Sequence, residues 1–209
     1  GIGRDVSGII EKVGKSVKMF QVGDKVFSRI DETLVGTMAE YVVSNEIDTA
    51  LMPKNLSYSE AASIPLAGLT AYQSLIEVAK LSSKENILIH AGAGGVGTIA
   101  IQLAKHLGAM VTATTSTKNI ELVRSLGADK VIDYTKENYL DGPSKFDVVY
   151  DTLGGKFTLD SFKILGFGGR VISIAGELDS ITAKQLGLNK IISFILALKA
   201  RKITKKASK

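Results

Sequence analysis

Residues 86–97 read NILIHAGAGGVG, and this segment is the most informative one about the fold. It opens with an apolar run, which is typical of a buried strand. Glycines follow at positions 92, 94 and 97, in the pattern GxGxxG. That pattern carries weight only between a strand and a helix, and both flanks are predicted here. The stretch therefore predicts the first strand, turn and helix of a dinucleotide-binding α/β unit.

Downstream of this turn, predicted strands and helices alternate. The predicted strands are 87–90, 110–114, 131–133, 146–151 and 170–174, and the predicted helices are 96–107, 119–126 and 157–165. Apolar strands that alternate with helices predict a parallel sheet with right-handed crossovers and helices on both faces. The fold class is therefore α/β of the Rossmann type.

Upstream of the turn, residues 1–53 show no sustained helical period. Strands are predicted over 6–13, 25–29 and 39–43, so this region is expected to be all-β. After Pro53, Ser57 and Glu60 have the spacing of a capping box, which predicts the start of a helix. Pro65 and Gly68 are expected to divide the helical stretch into two pieces.

The composition excludes several classes of protein. The chain has 209 residues, of which 45 % are hydrophobic and 22 % charged, as in a globular protein. It has no cysteine, which rules out disulfides and thiolate-bound zinc. No signal peptide and no apolar run of membrane-span length is found, so a cytoplasmic location is expected. The basic residues of 199–209 are interpreted as a solvated tail, with a membrane-surface or nucleic-acid patch as the alternative.

Each glycine of the turn has an expected role. Gly92 allows a tight turn, Gly94 allows a pyrophosphate to approach the backbone, and Gly97 allows the helix to pack close to the sheet. The helix N-terminus then presents free N–H groups and a positive dipole end to the anion. The alternative is a glycine-rich turn without a ligand, which would carry its backbone-entropy cost for no contact.

The predicted cofactor is NADPH, because an acidic residue is missing where NAD-binding units place one. That residue holds the ribose 2′-hydroxyl and follows the motif by about 20 residues, yet no Asp or Glu occurs between Gly97 and Glu121. Ser116 and Lys118 are instead placed to bind a 2′-phosphate. Lys118 as an ordinary exposed lysine is the alternative. Tyr134 is a further candidate, equally well explained as a half-buried aromatic residue.

The chain also resembles a known family. The resemblance is carried by residues 91–97 (AGAGGVG), 3–14 (GRDVSGIIEKVG), 22–26 (VGDKV), 39–41 (AEY) and 69–72 (LTAY). These segments are similar to the zinc-independent medium-chain dehydrogenases/reductases, among them the NADPH:quinone oxidoreductases, the zeta-crystallin-like proteins and the plant enone oxidoreductases. The resemblance implies a GroES-like β-barrel catalytic domain joined to a Rossmann domain, with the active site in the cleft between them.

The resemblance also implies domain boundaries and cofactor contacts. Residues 1–60 would be a partial GroES-like domain, 61–190 the NADP-binding domain, and 191–209 a helix end with the basic tail. Gly94, Gly95 and Val96 would contact the pyrophosphate, and Thr70 and the turn after the fifth Rossmann strand would lie near the nicotinamide. The implied cofactor-binding residues are Thr70, Gly92, Gly94, Gly95, Val96, Gly97, Ser116, Lys118, Tyr134, Ile174 and Gly176.

Two departures from the wider superfamily matter. Its zinc enzymes carry a His-Glu pair where this chain has Arg4 and Asp5, so no metal site is expected, and His90 and His106 are interpreted as structural. The chain is also shorter than family members at both ends, which suggests a fragment or a truncated gene product. No catalytic residue is assigned. Tyr41 is a candidate proton donor, but its predicted place in a strand favours a structural role.

Two functional hypotheses follow. The first is an NADPH-dependent oxidoreductase that transfers a hydride to a quinone or an α,β-unsaturated carbonyl without zinc, with an alcohol or polyol dehydrogenase as the weaker reading within the enzyme class. The second is a protein that binds NADPH without catalysis, as a sensor, a scaffold or an inactive fragment. The first hypothesis involves a small-molecule substrate and no nucleic acid, and the resemblance admits a homodimer.

Overall fold

A computed structural model describes residues 2–31, 33–34, 36–142 and 145–175. The chain divides into two compact units, Gly1–Thr70 and Ala71–Lys209. The predicted cofactor residue Gly176 and the basic tail 199–209 lie outside the described residues. Within the described residues, no helix combines the length and the apolar character needed to cross a bilayer.

The first unit contains an antiparallel sheet in the order β1-β2-β3. Its strands are β1 (Asp5–Ile9), β2 (Lys25–Arg29) and β3 (Thr49–Leu51). A short 3₁₀ turn, Glu46–Asp48, precedes β3. The predicted strand 25–29 is confirmed as β2.

Two strand predictions in this unit need correction. The predicted strand 6–13 ends early, at Ile9. Ile9 pairs with Lys25, and the segment just before Lys25 turns at Gly23, whose φ is +94°. The predicted strand 39–43 is wrong: this segment has no strand partner in the described part of the unit, and Tyr41 and Val43 are more than 70 % exposed. The strand that pairs with β2 is β3, where Leu51 lies opposite Val26.

The helical stretch begins with the predicted capping box. Ser57 Oγ accepts a hydrogen bond from the Glu60 backbone N–H, and Glu60 Oε2 accepts one from the Ser57 N–H. Helix α1 (Tyr58–Ala62) follows, and Pro65 starts α2 (Pro65–Tyr72). The break before Pro65 is as predicted, whereas Gly68 lies inside α2 and does not interrupt it. A π-helical stretch, Gln73–Val78, follows α2.

The second unit contains a five-stranded parallel sheet in the order β6-β5-β4-β7-β8. The strands are β4 (Asn86–Ile89), β5 (Met110–Thr115), β6 (Lys130–Asp133), β7 (Phe146–Asp151) and β8 (Leu165–Ser173). The helices are α3 (Gly95–His106), α4 (Ile120–Ser125) and α5 (Lys156–Ser161), and a 3₁₀ turn spans Thr117–Asn119. The predicted α/β class with a parallel sheet is confirmed.

The central strands of this parallel sheet are apolar on both faces. Ile87, Ile89 and Val148 pack into a core on one face, while Leu88 and Val149 pack into a second core on the other. All five side chains are fully buried. Such strands are stable only when both faces of the sheet are covered.

The last predicted helix, 157–165, is too long. Helix α5 ends at Ser161, and Leu165 already pairs with Phe146 as the first residue of β8. Between Leu165 and Arg170 the strand register shifts, and Gly168 has a φ of +75°. The glycines at 166, 168 and 169 leave this stretch unable to continue a helix.

Candidate dinucleotide-binding site

The carboxyl ends of all five parallel strands meet at one edge of the sheet. After β4 the chain builds outward through β5 and β6, then returns to place β7 on the other side of β4. The strand order therefore reverses between β4 and β7, and open α/β sheets bind ligands in the crevice at such a point. The turns that follow the five strands build this candidate site.

The turn after β4 is fixed to the neighbouring strand. The Gly92 N–H donates to the Thr114 carbonyl over 2.8 Å, and the Gly94 N–H donates to the Ala91 carbonyl over 2.9 Å. The left-handed residue of the turn is Ala91, with a φ of +49°, and not a glycine. The expected role of Gly92, a tight turn, is therefore carried by its neighbour.

The glycines of the turn differ in what a Cβ atom would meet. At Gly97 a Cβ would lie 2.3 Å from the Ala91 carbonyl oxygen, and at Gly92 it would lie 2.9 Å from Ala113 Cβ. At Gly94 it would lie 3.2 Å from the same Ala91 oxygen, while at Gly95 it would meet nothing within 4 Å. Packing alone thus explains the glycines at 92 and 97, whereas at Gly95 the missing side chain leaves open space.

The N-terminus of α3 opens into this space without a side-chain cap. Its N-cap residue is Gly94, which carries no side chain that could accept a hydrogen bond. The first-turn N–H groups of a helix need such an acceptor, as Ser57 provides for α1. An anion at this end of α3 would supply it and would also meet the positive end of the helix dipole. The residues therefore fit a pyrophosphate.

Ser116, Lys118 and Tyr134 lie on the turns after β5 and β6. Lys118 is exposed within the 3₁₀ turn, and Tyr134 is 61 % exposed. The Tyr134 N–H donates to the Thr115 carbonyl over 3.1 Å, so the two turns lie side by side. We call Ser116, Lys118 and Tyr134 with their two turns the polar corner. Its ammonium and hydroxyl groups can bind a phosphate.

The polar corner contains a carboxylate that sequence reasoning missed. Asp133, the last residue of β6, pairs in register with Thr115 and is only 4 % exposed. Its carboxylate accepts hydrogen bonds from both Thr117 and Thr135, and the Thr117 hydroxyl is the main cause that lowers its pKa. A search along the chain from Gly97 misses Asp133, because strand pairing brings it to the end of β5.

A second buried carboxylate, Asp151, ends β7 at the point where the strand order reverses. It accepts hydrogen bonds from the N–H groups of Leu153 and Gly154 and from the hydroxyls of Thr158 and Ser173. Burial raises its pKa, and these hydrogen bonds outweigh burial, so the net shift is downward. An ionised Asp151 therefore holds the turn after β7 against the end of β8.

The turn after β8 packs against this anchored turn. The Ile174 N–H donates to the Asp151 carbonyl over 3.0 Å. A Cβ on Gly154 would lie 2.2 Å from the Ala175 carbonyl oxygen, so the two turns are in close contact. The structure thus brings Ile174 to the same edge of the sheet as the glycine turn.

Two predicted residues lie in the first unit. Thr70 lies in α2, and its hydroxyl donates to the Leu66 carbonyl over 2.7 Å, which leaves the oxygen free as an acceptor. Tyr41 was predicted to lie in a strand, and this is wrong: it is 71 % exposed in an irregular segment. It is one of the residues lining an open cavity of about 1250 Å³ within the first unit.

Asp5, which stands where the zinc enzymes have the second residue of their His-Glu pair, and His90 are both engaged with other groups of the chain. Asp5 Oδ1 accepts a hydrogen bond from the Leu66 N–H, in the first turn of α2. His90 is fully buried, and burial lowers its pKa. Its Nδ1 lies 3.3 Å from Thr114 Oγ1, and its ring packs edge-on against Tyr139. No three His, Asp or Glu side chains in the described part of the chain are grouped for metal binding.

A doubly wound parallel sheet with a glycine turn at its strand-order reversal defines a nucleotide-binding α/β protein. Comparison with known families is more specific. The family model of the zinc-binding dehydrogenases matches residues 95–205, and that of the alcohol dehydrogenase GroES-like domain matches residues 1–54. The chain therefore belongs to the zinc-binding dehydrogenase family, within the medium-chain dehydrogenases/reductases.

Individual relatives point the same way. The chain is 49 % identical over 183 residues to a 2-methylene-furan-3-one reductase from Solanum lycopersicum, a match of 83 % of this chain and 46 % of the relative. It is 44 % identical over 182 residues to a chloroplastic NADPH-dependent alkenal/one oxidoreductase from Arabidopsis thaliana, with the same coverage. The chain thus spans about half the length of these curated relatives.

A solved structure shares the fold. The quinone oxidoreductase from Coxiella burnetii superposes with a TM-score of 0.77 at 34 % identity. The match covers 95 % of this chain and 60 % of the other.

Proposed function

We propose that this chain belongs to an NADPH-dependent oxidoreductase that reduces a quinone or an α,β-unsaturated carbonyl. The observation that carries the proposal is the open space at Gly95, the first residue of α3, whose first turn has no side-chain cap. A nucleotide pyrophosphate supplies what this space lacks, namely an acceptor for the first-turn N–H groups. The relatives named as enone and quinone reductases support the same chemistry.

We further propose how the cofactor lies along the edge of the sheet. Gly94, Gly95 and Val96 bind the pyrophosphate, and Gly92 and Gly97 hold the turn in shape. Ser116, Lys118 and Tyr134 bind the 2′-phosphate. Thr70, Ile174 and Gly176 remain predicted contacts near the nicotinamide, the last of them outside the described residues.

The protein's part in the reaction is to hold and shield the cofactor. Bound NADPH supplies a hydride to the quinone or to the β-carbon of the enone. Asp151 holds the turns after β7 and β8 together where the strand order reverses, and so shapes the crevice there. We assign no side chain as the proton donor.

An assay of NADPH oxidation with one quinone and one enone tests this proposal. We expect oxidation that depends on the acceptor and that requires a higher NADPH concentration in Gly95→Ala, whose methyl group enters the open space. Absence of turnover with both acceptors would overturn the proposed activity. Tight NADPH binding without turnover would favour the non-catalytic alternative. The domain boundaries at residues 60 and 190, the homodimer and the cytoplasmic location remain predictions.

A further inference from the structure

The polar corner depends on one carboxylate that joins its two turns. Asp133 Oδ2 accepts a hydrogen bond from Thr117 Oγ1 over 2.5 Å. Asp133 Oδ1 accepts from the Thr135 N–H over 3.0 Å and from Thr135 Oγ1 over 2.7 Å. Lys136 Nζ lies 3.7 Å from Oδ2. Each carboxylate oxygen thus holds a different turn.

These two turns carry all three residues proposed for the 2′-phosphate. Thr117 lies between Ser116 and Lys118, and Thr135 directly follows Tyr134. Asp133 is 4 % exposed, whereas its partners Thr117 and Thr135 are exposed residues, so the carboxylate is shielded from solvent more than the hydroxyls that bind it. Thr117 Oγ1 also lies 3.1 Å from Thr135 Oγ1, and the Tyr134 N–H bonds to the Thr115 carbonyl. Loss of either set of Asp133 hydrogen bonds would therefore loosen the two turns without separating them.

The threonine hydroxyls cannot take over the role of phosphate donors. A hydroxyl has a single proton, and in both threonines it is directed to Asp133. Towards an anion, Thr117 and Thr135 would present only lone pairs. Ser116, Lys118 and Tyr134 are side-chain donors of the polar corner that do not bind Asp133.

We infer that Asp133 is a positioning residue for cofactor choice: it favours NADPH over NADH by holding the two turns that carry Ser116, Lys118 and Tyr134. This inference rests on the proposed binding of NADPH at this edge of the sheet. It runs against simple charge reasoning, because a carboxylate near a 2′-phosphate repels it. The two accounts therefore differ in sign for a variant that removes the charge.

Asp133→Asn makes that difference measurable. The amide keeps the shape of the carboxylate but removes its charge and replaces one acceptor oxygen with a donor, so the charge-assisted hydrogen bonds to the two turns become weaker neutral ones. We expect the Kd for NADPH to rise about tenfold, the effect of one charge-assisted hydrogen bond, with little change for NADH. Repulsion alone would instead lower the Kd for NADPH.

Thr117→Val serves as the matched variant that keeps the charge. It removes the Thr117 hydroxyl while preserving the size of the side chain, so Asp133 no longer holds the turn of Lys118. We expect Thr117→Val to raise the Kd for NADPH, as Asp133→Asn does. Thr135→Val should raise the Kd for NADPH less, because the N–H of residue 135 remains bound to Asp133.

Titrations of the full chain with NADPH, NADH, 2′,5′-ADP and 5′-AMP provide the readout. The inference predicts that both Asp133→Asn and Thr117→Val lose affinity for NADPH and 2′,5′-ADP selectively. Equal losses for both dinucleotides would show a general structural role and overturn it, as would tighter NADPH binding by Asp133→Asn. Absence of any NADPH preference in the unaltered chain would instead overturn the proposed function itself.

Discussion

The glycine turn after β4 and the polar corner after β5 and β6 lie at the same edge of one sheet but are built differently. The glycine turn is defined by excluded volume, since Gly92 and Gly97 leave no room for a Cβ. The polar corner is defined by hydrogen bonds that converge on Asp133. The shape of the glycine turn thus depends on absent side chains, and that of the polar corner on a buried carboxylate.

This difference has consequences for both stability and binding. A methyl group added at Gly97 meets the Ala91 carbonyl oxygen, a backbone atom that cannot move away cheaply. A substitution in the polar corner changes side chains that are exposed, such as Lys118 and Tyr134. A change at Gly97 should therefore alter folding as well as binding, whereas changes to the exposed side chains of the polar corner should alter cofactor choice.

The largest expected effect is that of Gly97→Ala. Its Cβ would lie 2.3 Å from the Ala91 carbonyl oxygen, a contact that forces the turn or the helix to shift. We expect the free energy of unfolding to fall by about 2–4 kcal/mol, the range of severe overpacking. Denaturant unfolding measures this. A loss below about 0.5 kcal/mol, the size of an ordinary surface change, would contradict the steric account.

Gly95→Ala is the matched variant in the same turn. Because its Cβ meets nothing within 4 Å, the free chain should keep its stability, or gain slightly since alanine is the better helix former. The Kd for NADPH and NADH should both rise about tenfold, the size of one lost charge-assisted hydrogen bond. Unchanged affinity in a stable variant would show that no ligand uses this space.

Lys118→Ala tests the polar corner separately from the glycine turn. Lys118 is exposed and is absent from the ion pairs among the described residues, so its removal should leave stability unchanged. We expect NADPH to bind about tenfold more weakly and NADH to bind as before, because only NADPH carries the 2′-phosphate. Titration at two salt concentrations gives the readout, since this loss should shrink at high salt. An equal rise in the Kd of both cofactors would show that Lys118 does not bind the 2′-phosphate.

A smaller effect concerns pH. Burial lowers the pKa of His90, at the base of the glycine turn, although Asp151 opposes this shift. The unfolded chain then binds a proton below about pH 6.5 that the folded chain does not, so stability should fall as the pH drops below that value. Because the pKa of Asp133 is lowered, protonation of its carboxylate destabilises the folded chain only at pH values below about 4. Unfolding experiments between pH 7 and 5 should show a decline that His90→Asn removes. An equal decline in that variant would assign the effect to other groups.

The sequence allowed the glycine turn to be predicted more fully than the polar corner. The GxGxxG motif, the five strands of the second unit and the capping box at Ser57 depend on residues close in the chain, so local spacing predicts them. Local spacing does not predict the position of Asp133, because the pairing of β5 with β6 brings it to Thr117. The segment 39–43 was mistaken for a strand, since alternation cannot show whether a partner strand lies beside it.

The central claim is that this edge of the sheet binds a dinucleotide and distinguishes NADPH from NADH. Titration of the intact chain with the two cofactors, under the same salt conditions, tests it most directly. The account predicts that NADPH binds at least about tenfold more tightly, through charge-assisted hydrogen bonds to its 2′-phosphate. Equal affinities, tighter binding of NADH, or no binding of either cofactor would contradict it.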